Sequence, residues 1–191
     1  MQRAILALIL TMSATASAMA TDSYEIDPAH TQIVFSVDRF GFTTIFGSFM
    51  ESGGTITLDA DHPENSSVQA FVGTGSVFAG DPTRDAHIAG PHWLNAEEYP
   101  RLTFDSTAIE LTGDDTARVT GNLTIWGVAR EVILDVRLNR LGTDPATRRQ
   151  AVGFTITGEI DRSDWGHQTA ASLIGQEIGI RIETLAYLLE E

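Results

Sequence analysis

Cysteine and lysine are both absent from the 191 residues. Without cysteine the chain has no disulfide framework, no thiolate metal site and no thiol nucleophile, so its stability must come from packing. Without lysine, its 12 basic residues are all arginines, set against 26 acidic ones for a net charge of −14. A surface this acidic repels phosphate backbones and anionic headgroups, which argues against nucleic acid as a partner and against electrostatic docking on membranes. Standard catalytic signatures are missing too: there is no G-x-S-x-G, no H-E-x-x-H and no P-loop. Gly73-Thr74-Gly75 begins like a dinucleotide fingerprint, but the third glycine is missing and no helical pattern follows, so it reads as strand.

Long hydrophobic runs are also scarce. The most apolar stretch, Ala4-Ile5-Leu6-Ala7-Leu8-Ile9-Leu10, is far short of the roughly 20 residues a bilayer span needs. It follows Met1-Gln2-Arg3 and leads through small residues to Ala18-Met19-Ala20, the A-x-A pattern read by signal peptidase. We therefore expect residues 1–20 to be a signal peptide cut after Ala20, leaving 21–191 as one domain in the periplasm. Loss of Arg3, the leader's one charged residue, takes the net charge from −14 to −15. No transmembrane segment is expected in the mature protein.

What the rest of the chain has in abundance is period-two alternation, the pattern of strands with one buried and one wet face. Ile33, Phe35 and Val37 alternate with Val34, Ser36 and Asp38, and a long segment from 43 to 58 runs through Gly53-Gly54, which reads as a bulge or bend. Further alternating runs at 66–79, 101–111, 116–126, 130–141, 150–161 and 175–188 bring the count to about eight strands. The turns are marked by Asp61-His62-Pro63-Glu64-Asn65, Gly113-Asp114-Asp115, Gly142-Thr143-Asp144-Pro145 and a sharp corner at Gly127. Short turns make successive strands antiparallel neighbours. About eight long strands, each with one apolar face, suit a closed barrel that leaves room for side chains or one small ligand, with a two-sheet sandwich as the competing architecture. Residues 80–100 do not alternate; Asp81-Pro82-Thr83-Arg84-Asp85 and Asn95-Ala96-Glu97-Glu98 look like helix starts, predicting one or two short helical turns in a crossover.

Two of the five histidines sit beside carboxylates, in Asp27-Pro28-Ala29-His30 and Arg84-Asp85-Ala86-His87. Nothing in the spacing makes these groups converge on a metal. Asp27 equally suits an Asx turn around Pro28, and Arg84 with Asp85 an ion pair that pins the crossover. The aromatic residues Phe35, Phe40, Phe42, Phe46 and Phe49 fall close together. They read either as ordinary core or as the lining of an apolar cavity.

Several segments, in order, resemble the YceI-like family of periplasmic polyisoprenoid-binding proteins. Tyr24-Glu25-Ile26-Asp27-Pro28-Ala29-His30-Thr31 followed by Val34-Phe35-Ser36-Val37 is similar to that family's opening, and Gly47-Ser48-Phe49 to its G-x-F. Arg84-Asp85-Ala86-His87-Ile88 resembles its R-D-x-H-L motif, and Tyr99-Pro100-Arg101-Leu102-Thr103-Phe104-Asp105-Ser106 its Y-P-x-i-x-F-x-S stretch. The blocks 121–128 and 160–166 agree as well. Two places depart from the pattern. Arg39 stands where the family often has histidine, and Trp93-Leu94 where it has paired aromatics.

The resemblance implies an all-β fold, an extended antiparallel eight-stranded lipocalin-like barrel with a short helical crossover. It also implies a non-catalytic role, with an isoprenoid chain, polyprenyl or quinone-like, held in the channel for transport, storage or sequestration, and no cofactor besides that lipid. Candidate channel walls are Phe35, Val37, Phe49, Phe104, Leu123, Ile125, Phe154 and Trp165; candidate polar contacts or latch residues are Arg39, Arg84, Asp85 and His87. Two other readings stand beside it. One is a lipid-modifying or hydrolytic enzyme using His87 with Asp85, or a metal held by His30 and His87; the other is a structural stress-response protein with a filled barrel. A homodimer is a further partner to test.

Overall fold

In the computed structural model, residues 21–190 are described, and the expected leader lies outside them. Among the described residues eleven strands form one sheet: β1 (Asp22–Ile26), β2 (Gln32–Arg39), β3 (Thr43–Phe49), β4 (Ser52–Leu58), β5 (Ser67–Gly73), β6 (Val77–Phe78), β7 (Arg101–Leu111), β8 (Thr116–Ile125), β9 (Val128–Thr143), β10 (Gln150–Asp161) and β11 (Ile174–Leu188). Six of them are halves of three interrupted strands. β1 and β2 share one edge of β11, β1 against Ala186–Leu188 and β2 against 174–183. In the same way β3 pairs with β2 while β4 pairs with β1, and β6 pairs with β3 while β5 pairs with β4. Eight long antiparallel strands thus follow one another around a ring, which closes where β11 meets β1. Closure removes the sheet edges that a sandwich of these strands would leave exposed.

Local chemistry explains each interruption. Between β1 and β2, Asp27 Oδ1 accepts from the Ala29 N–H at 3.0 Å and Oδ2 pairs with His30 Nδ1 at 2.6 Å, an Asx turn around Pro28. The break between β3 and β4 falls at Met50–Glu51, whose two N–H groups both donate to Ser76 Oγ, at 3.1 and 2.9 Å. The expected bend at Gly53-Gly54 is therefore misplaced: both glycines lie within β4, in unbroken register with β5. Gly54 is required there for another reason. Its φ is +149°, and a Cβ would collide with the Gln69 carbonyl on the neighbouring strand.

Trp126 (φ 54°) and Gly127 (φ 69°) make the two-residue turn between β8 and β9, with both residues left-handed as a type I′ hairpin requires. The crossover contains one helix, α1 (Pro82–Ala89), capped by Asp81, which accepts from the Arg84 N–H at 2.9 Å. The second expected helix start, at Asn95, makes only a single turn closed by Tyr99 N–H to the Asn95 carbonyl, 2.8 Å. Nor does Arg84 pair with Asp85; Asp85 instead accepts from the Ala79 N–H at 2.6 Å, tying the helix to the end of β6.

One end of the barrel is packed solid. Tyr24, Ile26, Ile56, Val152 and Ala186 form its buried core, with Leu58, Val68, Leu138 and Leu188 packed around them. Val152 and Ala186 are completely buried.

Candidate functional site: the barrel lumen

Beyond that plug, the inward faces of the strands do not meet. They enclose a cavity of about 680 Å³, within the roughly 300–1,000 Å³ of small-molecule sites. An apolar cavity of ~150 Å³ takes up benzene, so this one has room for on the order of twenty to thirty carbon atoms. Inward-facing Phe35, Val37, Leu123 and Ile125 are only half-buried, because they face empty lumen rather than other side chains.

The lumen stays open partly because glycines receive the large side chains of neighbouring strands. Phe35 lies over Gly47, Phe104 over Gly121 and Leu134 over Gly158, each occupying the place a Cβ would take. The two phenylalanine rings are thereby held along the wall instead of projecting across the bore. Phe35 also packs against Phe49, ring centroids 5.6 Å apart.

All eight apolar candidates from the sequence, Phe35, Val37, Phe49, Phe104, Leu123, Ile125, Phe154 and Trp165, border this cavity. Trp165 is nearly fully buried, and its indole N–H donates to the Leu123 carbonyl at 3.2 Å, which fixes it as wall. Of the polar candidates, Arg39, Arg84 and His87 border the cavity. Asp85 does not; it is spent on the Ala79 N–H, so no Asp85–His87 dyad forms. His30 sits in the outer turn with Asp27, its side chain 65% exposed, and it does not join His87 on the lumen. Among the described residues, no three His, Asp or Glu side chains are grouped to hold a metal ion.

Two lumen residues escape the sequence reading. Arg162 is buried, and its guanidinium donates to the carbonyls of Gly175 (2.9 Å), Thr169 (2.9 Å) and Ile174 (3.0 Å), with His167 Nδ1 as a further partner. His167 lies between the Trp93 and Trp126 rings, at 5.1 and 4.8 Å. Burial, and then the neighbouring Arg162 charge, hold the His167 pKa below its ordinary value, which keeps the imidazole neutral. Burial likewise lowers that of Arg162. The signal for Arg162 was strand parity: Phe154, Ile156, Gly158 and Ile160 point inward, so 162 continues their phase. By the same parity Arg39 follows Ile33, Phe35 and Val37 into the lumen.

The charge at the polar end of the cavity is carried by three arginines, Arg39, Arg84 and Arg162. The imidazoles of His87 and His167 also border it, with one carboxylate, Asp81, which caps α1. Arg39, Arg84 and Arg162 make no ion pair among the described residues, whereas Arg118 and Arg181 do. Arg84 Nε is buried with no hydrogen-bond partner among the described residues, an uncompensated donor beside the lumen.

Fold and site together define a closed antiparallel β-barrel built around an internal apolar cavity, the architecture of small-ligand barrels of the lipocalin type. A family model, the YceI-like domain, matches residues 24–186, and the chain belongs to that family. Protein YceI of Escherichia coli is 34% identical over 173 residues, 90% of this chain and 89% of that protein. A UPF0312 protein of Pseudomonas syringae pv. tomato is 36% identical over 165 residues, 85% of each chain. Among solved structures, Burkholderia cenocepacia BcnA superposes with a TM-score of 0.75 at 25% identity, covering 84% of this chain and 98% of its own. A polyisoprenoid binding domain from Saccharophagus degradans shares the fold with a TM-score of 0.67 at 14% identity, over 87% of this chain and 98% of its own.

Proposed function

We propose that the protein is a non-catalytic periplasmic carrier that holds a polyprenyl or quinone-like chain in its barrel, exported by the leader at residues 1–20. The observation that carries this reading is the open apolar lumen, closed at one end by packed core and bordered at the other by arginines without carboxylate partners. Each CH₂ transferred from water into such a lumen gains about 0.8 kcal/mol, so a chain of ten or more carbons would be held without any specific contact. The uncompensated Arg84 Nε, together with Arg39, would then meet the polar head, whether a phosphate or a carbonyl. A polyisoprenoid binding domain among its structural neighbours supports the chemical class of the cargo.

An enzymatic reading has less to stand on, since Asp85 is engaged by the Ala79 N–H and is not among the residues that border the lumen with His87. A filled-barrel structural role needs side chains where the lumen is open. The test is uptake of a radiolabelled polyprenol by the purified protein. The proposal expects saturable binding near one chain per protein, and absence of uptake for polyprenol and ubiquinone-like probes alike would overturn it.

A further inference from the structure

The outer surface is not uniformly polar. Of the ten large hydrophobic residues most exposed to solvent among the described residues, six fall in one sector: Phe40, Phe42, Phe46, Met50, Phe78 and Leu173. Phe42, at the tip of the β2–β3 hairpin, is 90% exposed, and Met50 and Phe46 are 71% and 65% exposed. Phe46 lies on the outer face of β3, whose inner face carries Ile45 and Phe49 into the lumen. Phe78 on β6 pairs with Ser48, the next outward position along that strand, and Met50 follows beside Ser48. The apolar side chains thus form a stripe running from the hairpin tip down the outside of β3. Phe40 is held at the tip in a left-handed conformation (φ 60°) that non-glycine residues rarely adopt.

Charge is distributed just as unevenly. The segments 39–50, 86–96 and 166–176 contain no aspartate or glutamate, in a chain with 26 of them, and the acid that flanks the hairpin tip, Asp38, accepts from the Gly41 N–H at 2.9 Å. The fold brings the start of the first segment together with the other two at one pole, from which the first runs on down β3. Phe40 N–H donates to the Leu173 carbonyl at 2.8 Å, Thr169 Oγ1 donates to the His92 carbonyl at 2.7 Å, and the Trp93 ring packs on His167. The lumen reaches this same pole, where Arg39, His87, Trp93 and Ile174 border it, while the opposite end is sealed by the Tyr24–Val152–Ala186 core.

We propose that this pole docks on a zwitterionic phospholipid bilayer, with Phe42, Phe46 and Phe78 seated among the lipids and the open end of the lumen facing the membrane. The inference rests on the lipid-carrier reading: an insoluble chain is exchanged with a bilayer, and the open end is the way in. A net charge of −14 repels anionic membranes, so docking is apolar rather than electrostatic, and the pole, whose carboxylates are Asp38, held on the Gly41 N–H, and the α1 cap Asp81, is an acid-poor part of the surface where that repulsion is weaker. A second copy seated on the stripe would instead cover the open end.

Flotation of the protein with phosphatidylcholine vesicles tests this, using the variant Phe42→Ser/Phe46→Thr/Phe78→Thr and, as a control on exposed apolar residues elsewhere, Ile133→Thr/Leu141→Thr. The expected result is partitioning of the wild type and the control onto vesicles, reduced at least tenfold in the triple variant. Transfer of polyprenol out of the vesicles should slow at least tenfold as well, while uptake of polyprenol presented in detergent is unchanged. That last arm separates the two claims, because loss of uptake from detergent in the wild type would sink the carrier reading itself. Failure of the wild type to float, or equal flotation of the triple variant, overturns the docking proposal. So does sedimentation showing a wild-type dimer that the triple variant converts to monomer, which would make the stripe an interface between copies.

Discussion

The two ends of this barrel are built from the same strands yet spend their apolar side chains differently. At one end Ile26, Ile56 and Val152 point inward and meet each other, and burial is nearly complete. At the other, Phe35, Val37 and Ile125 point inward but are not packed across the bore, Phe35 lying along the wall against Gly47 and Phe49, so they stay half-exposed around the cavity. Both sets obey the same alternation. The difference comes from what lies across from them: glycines at 47, 121 and 158 let neighbouring side chains lie back against the wall in the lumen half. One half of the barrel supplies stability, and the other holds volume in reserve for a ligand.

Substitutions can break this division from either side. The largest expected effect is on stability at the packed end, where Val152→Ala, a core residue that does not border the cavity, should cost about 2 kcal/mol, a drop of several degrees in Tm by thermal denaturation, with polyprenol uptake below that Tm retained. Next comes blocking the lumen: Val37→Trp should reduce uptake about tenfold or more while leaving Tm within a few degrees, because the added ring enters empty space. Val37→Trp with uptake intact would mean that the cargo does not occupy this volume.

Smaller but more pointed is Gly47→Ala. A Cβ there overlaps only the Phe35 ring, so the ring must tilt toward the bore. Several-fold weaker uptake with nearly unchanged Tm is expected, and binding titrations against the wild type check it. Smallest is the response to pH at the junction between lumen and outer loops. His167 has a folded pKa below its unfolded value, so the folded state disfavours its proton. Its contribution to stability is complete above the unfolded value near 6.5 and falls as pH drops from there through the lowered folded pKa. Urea midpoints for wild type and His167→Gln should therefore converge differently across that window, the variant lacking this component of acid sensitivity. At lower pH Asp144, held down to about 2 first by the Tyr187 hydroxyl, which donates at 2.5 Å, adds a second loss of stability as pH falls below the ordinary carboxylate range.

Much of this division was legible in the residues, and for identifiable reasons. Alternation is a property of consecutive residues, so the inward phase of β2, β7, β8 and β10 could be read directly, and with it the apolar wall from Phe35 to Phe154. Whether an inward side chain meets a partner depends on a residue in another strand. Gly47 and Gly121 carry that information, but only once Phe35 and Phe104 are placed against them. The same limit explains the bend. Gly53-Gly54 looks flexible in sequence, while the chain turns at Met50–Glu51 because Ser76, far along the chain, accepts both N–H groups. Asp85 was read as a partner of Arg84, its neighbour, and is taken by the Ala79 N–H instead. Arg162 was signalled by the parity of β10, whereas His167 could not be assigned to the lumen without knowing that the loop after β10 folds back over Trp93.

The central claim is that the open half of the barrel exists to be filled by a long apolar chain. Native mass spectrometry of the protein purified gently from its own host, followed by organic extraction, tests it most directly. The account predicts an adduct in near one-to-one ratio that extracts as an isoprenoid lipid and is lost in the Val37→Trp variant. Protein that is uniformly free of lipid, and that also takes up none when a polyprenol is added, would contradict it.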